Sequence, residues 1–309
     1  MQHIHSFQDI QLERSWVTIG SFDGVHLGHQ AILRQMVKKA HANHGQAVVV
    51  TFYPHPVVVL RGLQQAFYLT TSDERAQQLF DLGVDVVVTL QFDHDMAAMS
   101  AADFLKPMRN HLGMQELWVG PDFALGRNRE GNIESLIQLG RELGYSVQVV
   151  QPVEDDQEKI SSSRIRSMIS QGDMRGAARQ LGHWYTLSGP IVHGDGRGHR
   201  LGFPTANIQP PPERLLPLNG VYATLGRING EWLPSVTNVG FSPTFKKDET
   251  IPRIEAYILD FKQDVYGQFM EASFVEFLRP EMHFNSLDEL LEQIHRDIEK
   301  SREILRHVK

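Results

Sequence analysis

The chain has 309 residues, 41% of them hydrophobic and 22% charged, with a formal net charge of −7; that length exceeds what one hydrophobic core usually supports, so two globular domains are expected. The sequence has no cysteine, which excludes disulfides, thiolate catalysis and cysteine-held zinc or iron–sulfur centres, and the acid excess argues against a nucleic acid as main partner, because neutralising phosphates takes clustered Lys and Arg. No apolar run approaches the ~20 residues of a membrane span, and residues 1–11, with His3, His5, Gln8 and Asp9, lack the basic-then-apolar order of a secretory leader, so a cytoplasmic protein without a membrane partner is expected.

The first half alternates short apolar runs at 17–20, 47–52, 84–90, 117–120 and 146–150, read as buried strands, with amphipathic stretches at 30–41, 72–82, 101–111 and 133–143, read as helices. This alternation predicts a doubly wound parallel sheet, in which ligands bind beyond the carboxyl ends of the strands. Near His183 the pattern changes. Residues 185–192, 220–228, 233–239, 254–260 and 272–278 read as short alternating strands of a small barrel or sandwich. A last helix carries Leu287, Leu290, Leu291, Ile294 and Ile298 as one stripe, with Ser286 as its N-cap and Glu289 three residues on. The domain boundary is placed at 183/184. The fifteen histidines are scattered, so no zinc site is expected.

The segment Gly20-Ser-Phe-Asp-Gly-Val-His-Leu-Gly-His29 leaves a predicted strand and enters a predicted helix. Its glycines allow a tight turn beside a ligand, and His26 and His29 fall at the helix N-terminus, where unpaired N–H groups and the helix dipole favour the charge that builds on a phosphate under attack. When the nucleophile is itself a phosphate no general base is needed, so positioning and electrostatics suffice for adenylyl transfer. A His-x-Gly-His tetrapeptide alone decides nothing. Together with Ile160-Ser-Ser-Ser-Arg-Ile-Arg166 it resembles the nucleotidyltransferase superfamily, whose second motif is a serine-capped helix start with an arginine forking onto phosphate oxygens. The resemblance implies nucleotide-binding roles for Gly20, Phe22, Asp23, Gly24, Gly28, Ser162, Ser163 and Arg166, and catalytic roles for His26 and His29.

Three further stretches, Thr51-Phe-Tyr-Pro-His-Pro56, Tyr68-Leu-Thr70 and Gly120-Pro-Asp-Phe-Ala-Leu-Gly126, narrow the resemblance to bacterial FAD synthetases. It implies a flavin site drawn from Phe52, Pro54, Pro56, Arg61, Asp122 and Phe123; Phe52, Phe123 and Leu125 are equally of a kind to sit in a core. In the second half, Leu201-Gly-Phe-Pro-Thr-Ala-Asn207, at the end of a glycine-rich stretch, resembles the riboflavin kinase hallmark. The resemblance implies that Gly198 and Gly202 lie against ATP, and that Thr205 and Asn207 reach both its phosphates and Mg²⁺, a hard cation suited to hydroxyl and amide oxygens. Phosphorylating an alcohol takes its proton, and the resemblance of Arg253-Ile-Glu-Ala-Tyr-Ile-Leu-Asp-Phe261 and Asp264-Val-Tyr-Gly267 to the kinase family implies Glu255, set by strand alternation opposite to Ile254 and Ala256, as the candidate base. A solvated strand carboxylate is the plain alternative.

These motifs span nearly the whole chain and identify it as a member of the bacterial bifunctional riboflavin kinase/FAD synthetase family. The expected fold is an α/β doubly wound, Rossmann-like nucleotidyltransferase domain (1–183), then a small antiparallel β-barrel riboflavin kinase domain with a C-terminal helix (184–309). The expected reactions are riboflavin to FMN in the second domain and FMN to FAD in the first. ATP, riboflavin and FMN are the implied partners, with at most weak self-association. Two alternatives stand beside it: a nucleotidyltransferase with another phosphorylated acceptor and a binding-only β module, and a flavin-sensing or storage protein without turnover.

Overall fold

The computed structural model describes residues 1–151, 154–155, 158–194, 201–243, 250–261 and 263–308, with backbone alone for 154–155, 158–159, 241–243 and 250–252. Packing divides the chain into two units, Met1–Ser162 and Ser163–Lys309.

In the first unit β1 (Gln2–Ile4), β2 (Ser15–Ile19), β3 (Gln46–Tyr53), β4 (Val86–Gln91), β5 (Met114–Val119) and β6 (Ser146–Val149) form a six-stranded sheet in the order β1-β4-β3-β2-β5-β6. Every neighbouring pair is parallel. The connections carry α1 (Leu27–Ala42), α2 (Pro56–Arg61), α3 (Ser72–Asp81), α4 (His94–Ala98), α5 (Ala101–Leu112) and α6 (Ile133–Leu143). A two-residue ladder of β7 (Glu154–Asp155) with β8 (Glu158–Lys159) ends the unit.

The apolar runs are continuous because both faces of the sheet are covered. Val17, Ile19, Val48, Val50, Val86 and Val88 point into one core cluster, and Trp16, Ala47, Val49 and Val87, their alternates, point into the other. From β2 the chain steps outward through β3 and β4, then returns to β5 on the other side of β2. That reversal is the topological switch point, and it opens a crevice at the carboxyl ends of β2 and β5. The 20–29 loop leaves β2, the Pro54–Pro56 segment leaves β3 and the 120–126 segment leaves β5, so all three motifs converge there. The expected doubly wound fold is present. Strand β1 was not foreseen: three residues, Gln2-His3-Ile4, carry no run or alternation, and they are recruited by the open edge of β4.

The second unit begins within α7 (Ser162–Ser170), continues with α8 (Met174–Leu181), and then forms a closed barrel of β9 (Tyr185–Val192), β10 (Ala206–Ile208), β11 (Gly220–Ile228), β12 (Glu231–Pro243), β13 (Thr250–Ile258) and β14 (Phe269–Arg279), in the order β10-β13-β12-β11-β14-β9. All six pairings are antiparallel. Closure depends on β10, which pairs through three residues with β13 on one side and through two, Asn207 and Ile208, with β9 on the other; a segment so short, at the end of a glycine-rich stretch, gives no strand signal. Inside the barrel the Thr224 hydroxyl lies 2.8 Å from that of Ser235 and 2.7 Å from that of Thr237, so these buried hydroxyls satisfy one another.

Helix α9 (Leu287–Leu305) covers the barrel. Its N-cap is Ser286, whose hydroxyl accepts from the Glu289 amide at 3.2 Å, as expected. The stripe is shifted, however. Leu287 is 54% exposed, and the buried residues are Asp297, Ile298, Ser301 and Leu305. Leu290, Ile294, Asp297 and Ile298 of the helix line a cavity, and Ser301 and Leu305 beyond them are buried.

Candidate active sites

The loop at the end of β2 is held from every side. The Ser21 carbonyl accepts from the Thr51 hydroxyl at 3.0 Å and from the Arg75 guanidinium at 2.8 Å. The Gly24 amide donates to the Thr70 hydroxyl at 3.3 Å, and the Val25 carbonyl accepts from the Gln30 side chain at 3.0 Å. The Asp23 carboxylate, fully buried, accepts from the amides of Leu69 and Thr70 and from the Thr70 hydroxyl. These bonds explain the 51–56 and 68–70 motifs: both brace the loop. They also show that the Asp23 carboxylate, which already accepts four hydrogen bonds, is committed to tying this loop to residues 69–70. Phe22 (φ 48°) and Val25 (φ 37°) both occupy the left-handed region while buried. For non-glycine residues, and for a β-branched one above all, such backbone costs on the order of 1–3 kcal/mol each and persists only where the surroundings over-determine it.

His26 is the N-cap of α1, its Nδ1 accepting from the His29 amide at 3.3 Å. The two imidazoles stack, with centroids 3.6 Å apart and planes inclined by 15°. Gly28 allows this, because a Cβ there would lie 3.2 Å from the His26 ring. Phe22 packs against His29 with centroids 4.9 Å apart. Burial, then the neighbouring His26 and the Arg75 charge, hold His29 well below the ordinary imidazole range, so the ring is neutral near pH 7. Its Nδ1 has no hydrogen-bond partner among the described residues. A neutral, stacked imidazole at a helix N-terminus is a hydrogen-bonding group held ready for an anion.

The second motif meets the first within this unit: the Ser162 hydroxyl donates to the Asp23 carbonyl at 3.0 Å. Ser163 and Arg166 follow on α7, at the start of the second unit. Of the flavin candidates, Phe52 and Phe123 are half-buried and pack on the sheet core. Phe52 makes ring contacts with Phe92 and Phe104. Pro54 follows a cis peptide bond, Pro56 opens α2, and Arg61 is exposed in its last turn. Asp122 is exposed, and its carbonyl accepts from Arg129 at 2.9 Å. Missed in the sequence was Arg75, whose importance lies in what it touches across the fold; Thr70 stood in the 68–70 motif without a stated role.

In the barrel, register assembles the site. Glu255 on β13 is directly opposite Asn207 on β10 and Asn238 on β12, so the three side chains share one face of the sheet. Ile254 and Ala256 point inward and are fully buried, as alternation requires. Glu255 is half-buried, with Arg253 3.4 Å away on the same strand. A cavity of about 280 Å³ lies on this outer face, where Thr205, Asn238 and Glu255 meet the apolar Val221, Leu290 and Ile294. A second cavity, of about 300 Å³, is lined by Ala206, Ala256 and Ile258 together with Asp264 and Tyr266. Thr205 lines both. Gly194 approaches Asn207 so closely that a Cβ would lie 2.4 Å from its amide. Asp297 of α9 holds Arg279 of β14 through bonds of 2.8–3.1 Å, pinning the helix over the first cavity. Gly202 is exposed with φ +85°; Gly198 lies outside the described residues, as do residues 244 and 245.

Comparison with known proteins agrees with this two-site reading. A family model described as FAD synthetase matches residues 8–164, and one described as riboflavin kinase matches residues 181–305. A bifunctional riboflavin kinase/FMN adenylyltransferase from Listeria monocytogenes is 37% identical over 93% of this chain and 91% of its own length. The protein of the same description from Escherichia coli is 35% identical over 97% and 96%. Among solved structures, a chain described as a macrolide-efflux protein from Streptococcus pneumoniae superposes with a TM-score of 0.87 at 30% identity, covering 97% of this chain and 98% of that one. Among the described residues of the present chain no helix is long and apolar enough to cross a membrane.

Proposed function

The chain belongs to the bifunctional riboflavin kinase/FMN adenylyltransferase family, and from that premise we propose how its residues divide the two reactions. It makes FMN from riboflavin and ATP in its C-terminal part, and FAD with pyrophosphate from FMN and ATP in its N-terminal part. For the kinase step, riboflavin occupies the cavity beneath α9 and ATP the cavity at Asp264 and Tyr266. The observation that carries this assignment is that Thr205 borders both cavities while Glu255 lines the first. The ribityl hydroxyl attacks the γ-phosphorus, Glu255 takes its proton, and ADP leaves. Thr205 and Asn207 would hold Mg²⁺ brought by ATP. Their all-oxygen donor set, with the room that Gly194 leaves at the Asn207 amide, fits a hard cation that keeps most of its waters. Bound there, the ion would neutralise charge on the phosphate oxygens. Gly198 and Gly202 are assigned by the family motif to the same nucleotide.

For adenylyl transfer, an oxygen of the FMN phosphate attacks the α-phosphorus of ATP and pyrophosphate leaves. His26 and His29, with the N-terminus of α1, meet the charge that develops. Gly20, Phe22 and Gly24 let the backbone approach the phosphates, and Ser162, Ser163 and Arg166 take the departing pyrophosphate oxygens. On this reading 1–183 is the adenylylating domain, because α7 carries its second motif. Phe52, Pro54, Pro56, Arg61, Asp122 and Phe123 flank the flavin side, at the carboxyl ends of β3 and β5. Two ATP-consuming steps on small molecules suit a cytoplasmic enzyme.

The kinase assignment is tested by filling the cavity beneath α9. Ile294→Trp should abolish riboflavin binding in a flavin-fluorescence titration while FMN is still adenylylated. Undiminished riboflavin binding would remove the ring from that cavity.

A further inference from the structure

Arg75 is the largest fully buried side chain of the first unit, and neither reaction as described above uses it. It reaches across from α3 to two different elements: Nη1 donates to the Ser21 carbonyl of the nucleotide loop at 2.8 Å, and Nη2 to the Phe52 carbonyl at the end of β3 at 3.3 Å. Its Nε has no partner among the described residues. A guanidinium is an expensive group to bury, and a mere loop staple could be a neutral donor. Burial pulls Arg75 below its ordinary value, and the Asp23 carboxylate opposes that shift, so the charge is balanced from inside the same loop.

Two backbone facts locate the strut. The Ser21 carbonyl precedes Phe22, whose φ of 48° is one of the loop's two unfavourable conformations, and the same carbonyl is gripped a second time by Thr51. The Phe52 carbonyl stands one residue before Tyr53 and the Pro54–Pro56 segment, on the flavin side. One planar, five-donor group thus spans the nucleotide loop and the flavin strand, as a fork can and an ammonium cannot.

We propose that Arg75 is a positioning residue for adenylyl transfer, which holds the strained loop carrying His26 and His29 in register with the carboxyl end of β3. The inference rests on the assignment of that loop to ATP. Arg75 touches neither substrate; it acts through the two carbonyls. Lysine keeps the charge opposite Asp23 but cannot serve both carbonyls in one plane.

The test is steady-state kinetics on the full-length Arg75→Lys chain, with FMN and MgATP as substrates and riboflavin phosphorylation on the same preparation as a control. The expected result is an ATP KM raised at least about fivefold, with kcat for FAD formation lowered about tenfold and kinase rates unchanged. Loss of folded first unit would lower kcat alone and leave both KM values as they were, so an unchanged ATP KM overturns the proposal. If Arg75→Lys leaves no measurable FAD formation, Thr51→Val decides: it removes only the second grip on Ser21. It should raise ATP KM about twofold or more, and a wild-type value overturns the proposal. His29→Ala separates the premise from the inference. Full FAD synthesis in that variant sinks the assignment of the loop, whereas its loss together with normal Arg75→Lys kinetics sinks only the role of Arg75.

Discussion

In the N-terminal unit His26 and His29 stand where a loop with two residues in unfavourable backbone enters α1, and the protein surrounds that loop with bonds from β3, α1, α3, the Leu69–Thr70 turn and Ser162. In the barrel, Asn207, Glu255 and Asn238 stand on three adjacent strands, and the ladder alone sets them side by side. A loop site therefore needs buried polar struts of its own, Asp23 and Arg75 among them. A strand site borrows its precision from the sheet, since a slip of one residue would turn every side chain to the other face. The chemistry follows the same division. Transfer onto a phosphate nucleophile can rely on preorganised donors, whereas transfer onto a hydroxyl needs a base, the role proposed for the ladder carboxylate Glu255.

The comparison breaks most plainly at Glu255. Glu255→Gln should lower riboflavin phosphorylation by about 10²–10⁴-fold, the usual contribution of a positioned base, and leave FAD formation from supplied FMN intact, as followed by separation of the flavins. Loss of both activities in a folded protein would mean that the two sites are not independent. The mirror experiment is His29→Ala. Removing one preorganised donor should cost about 10²–10³-fold in FAD formation with kinase rates unchanged, and wild-type adenylylation would end the histidine assignment.

A smaller effect is expected from Gly194→Ala. The new Cβ would meet the Asn207 amide at 2.4 Å, and that amide is the free end of a side chain, so it moves rather than the barrel. KM for MgATP in the kinase step should rise about tenfold, worth about 1.4 kcal/mol, with an unchanged unfolding midpoint. A drop in the midpoint with normal kinetics would show instead that Gly194 serves packing.

The smallest effect is one of pH. His29 is held well below the ordinary imidazole value of about 6.5 in the folded chain, so beneath about pH 6.5 the unfolded chain takes up a proton there that the folded unit refuses. Stability of the first unit should therefore fall as pH drops below that value, and the slope should flatten in His29→Gln. Thermal unfolding at a series of pH values checks this; an identical slope in the variant would place the titrating group elsewhere.

Much of this was legible in the sequence. Unbroken valine runs at Val48–Val50 and Val86–Val88 announce strands buried on both faces, the run 20–29 announces a turn into a helix, and alternation around Glu255 predicts which way it faces. These are local signals, carried by period and turn chemistry. Leu287 misled for the opposite reason: it keeps the helical period but stands exposed in the first turn of α9, and period alone cannot tell what lies beneath a face. The three-residue strands β1 and β10 are invisible because their stability comes entirely from the neighbours they join.

The sequence by itself determined the two fold classes and the order of the units, because period and turn chemistry are local, and short motifs that resemble a known family singled out the histidines, Thr205, Asn207 and Glu255 as candidates. Only the tertiary structure decided that Asn207 and Glu255 are cross-strand partners, that Thr205 borders two cavities, that Asp23 is consumed in bracing its own loop, and that Arg75 links Ser21 to Phe52. Contacts between residues dozens of positions apart are selected by the packing of whole elements, and the free energy of that packing is not encoded in any one segment.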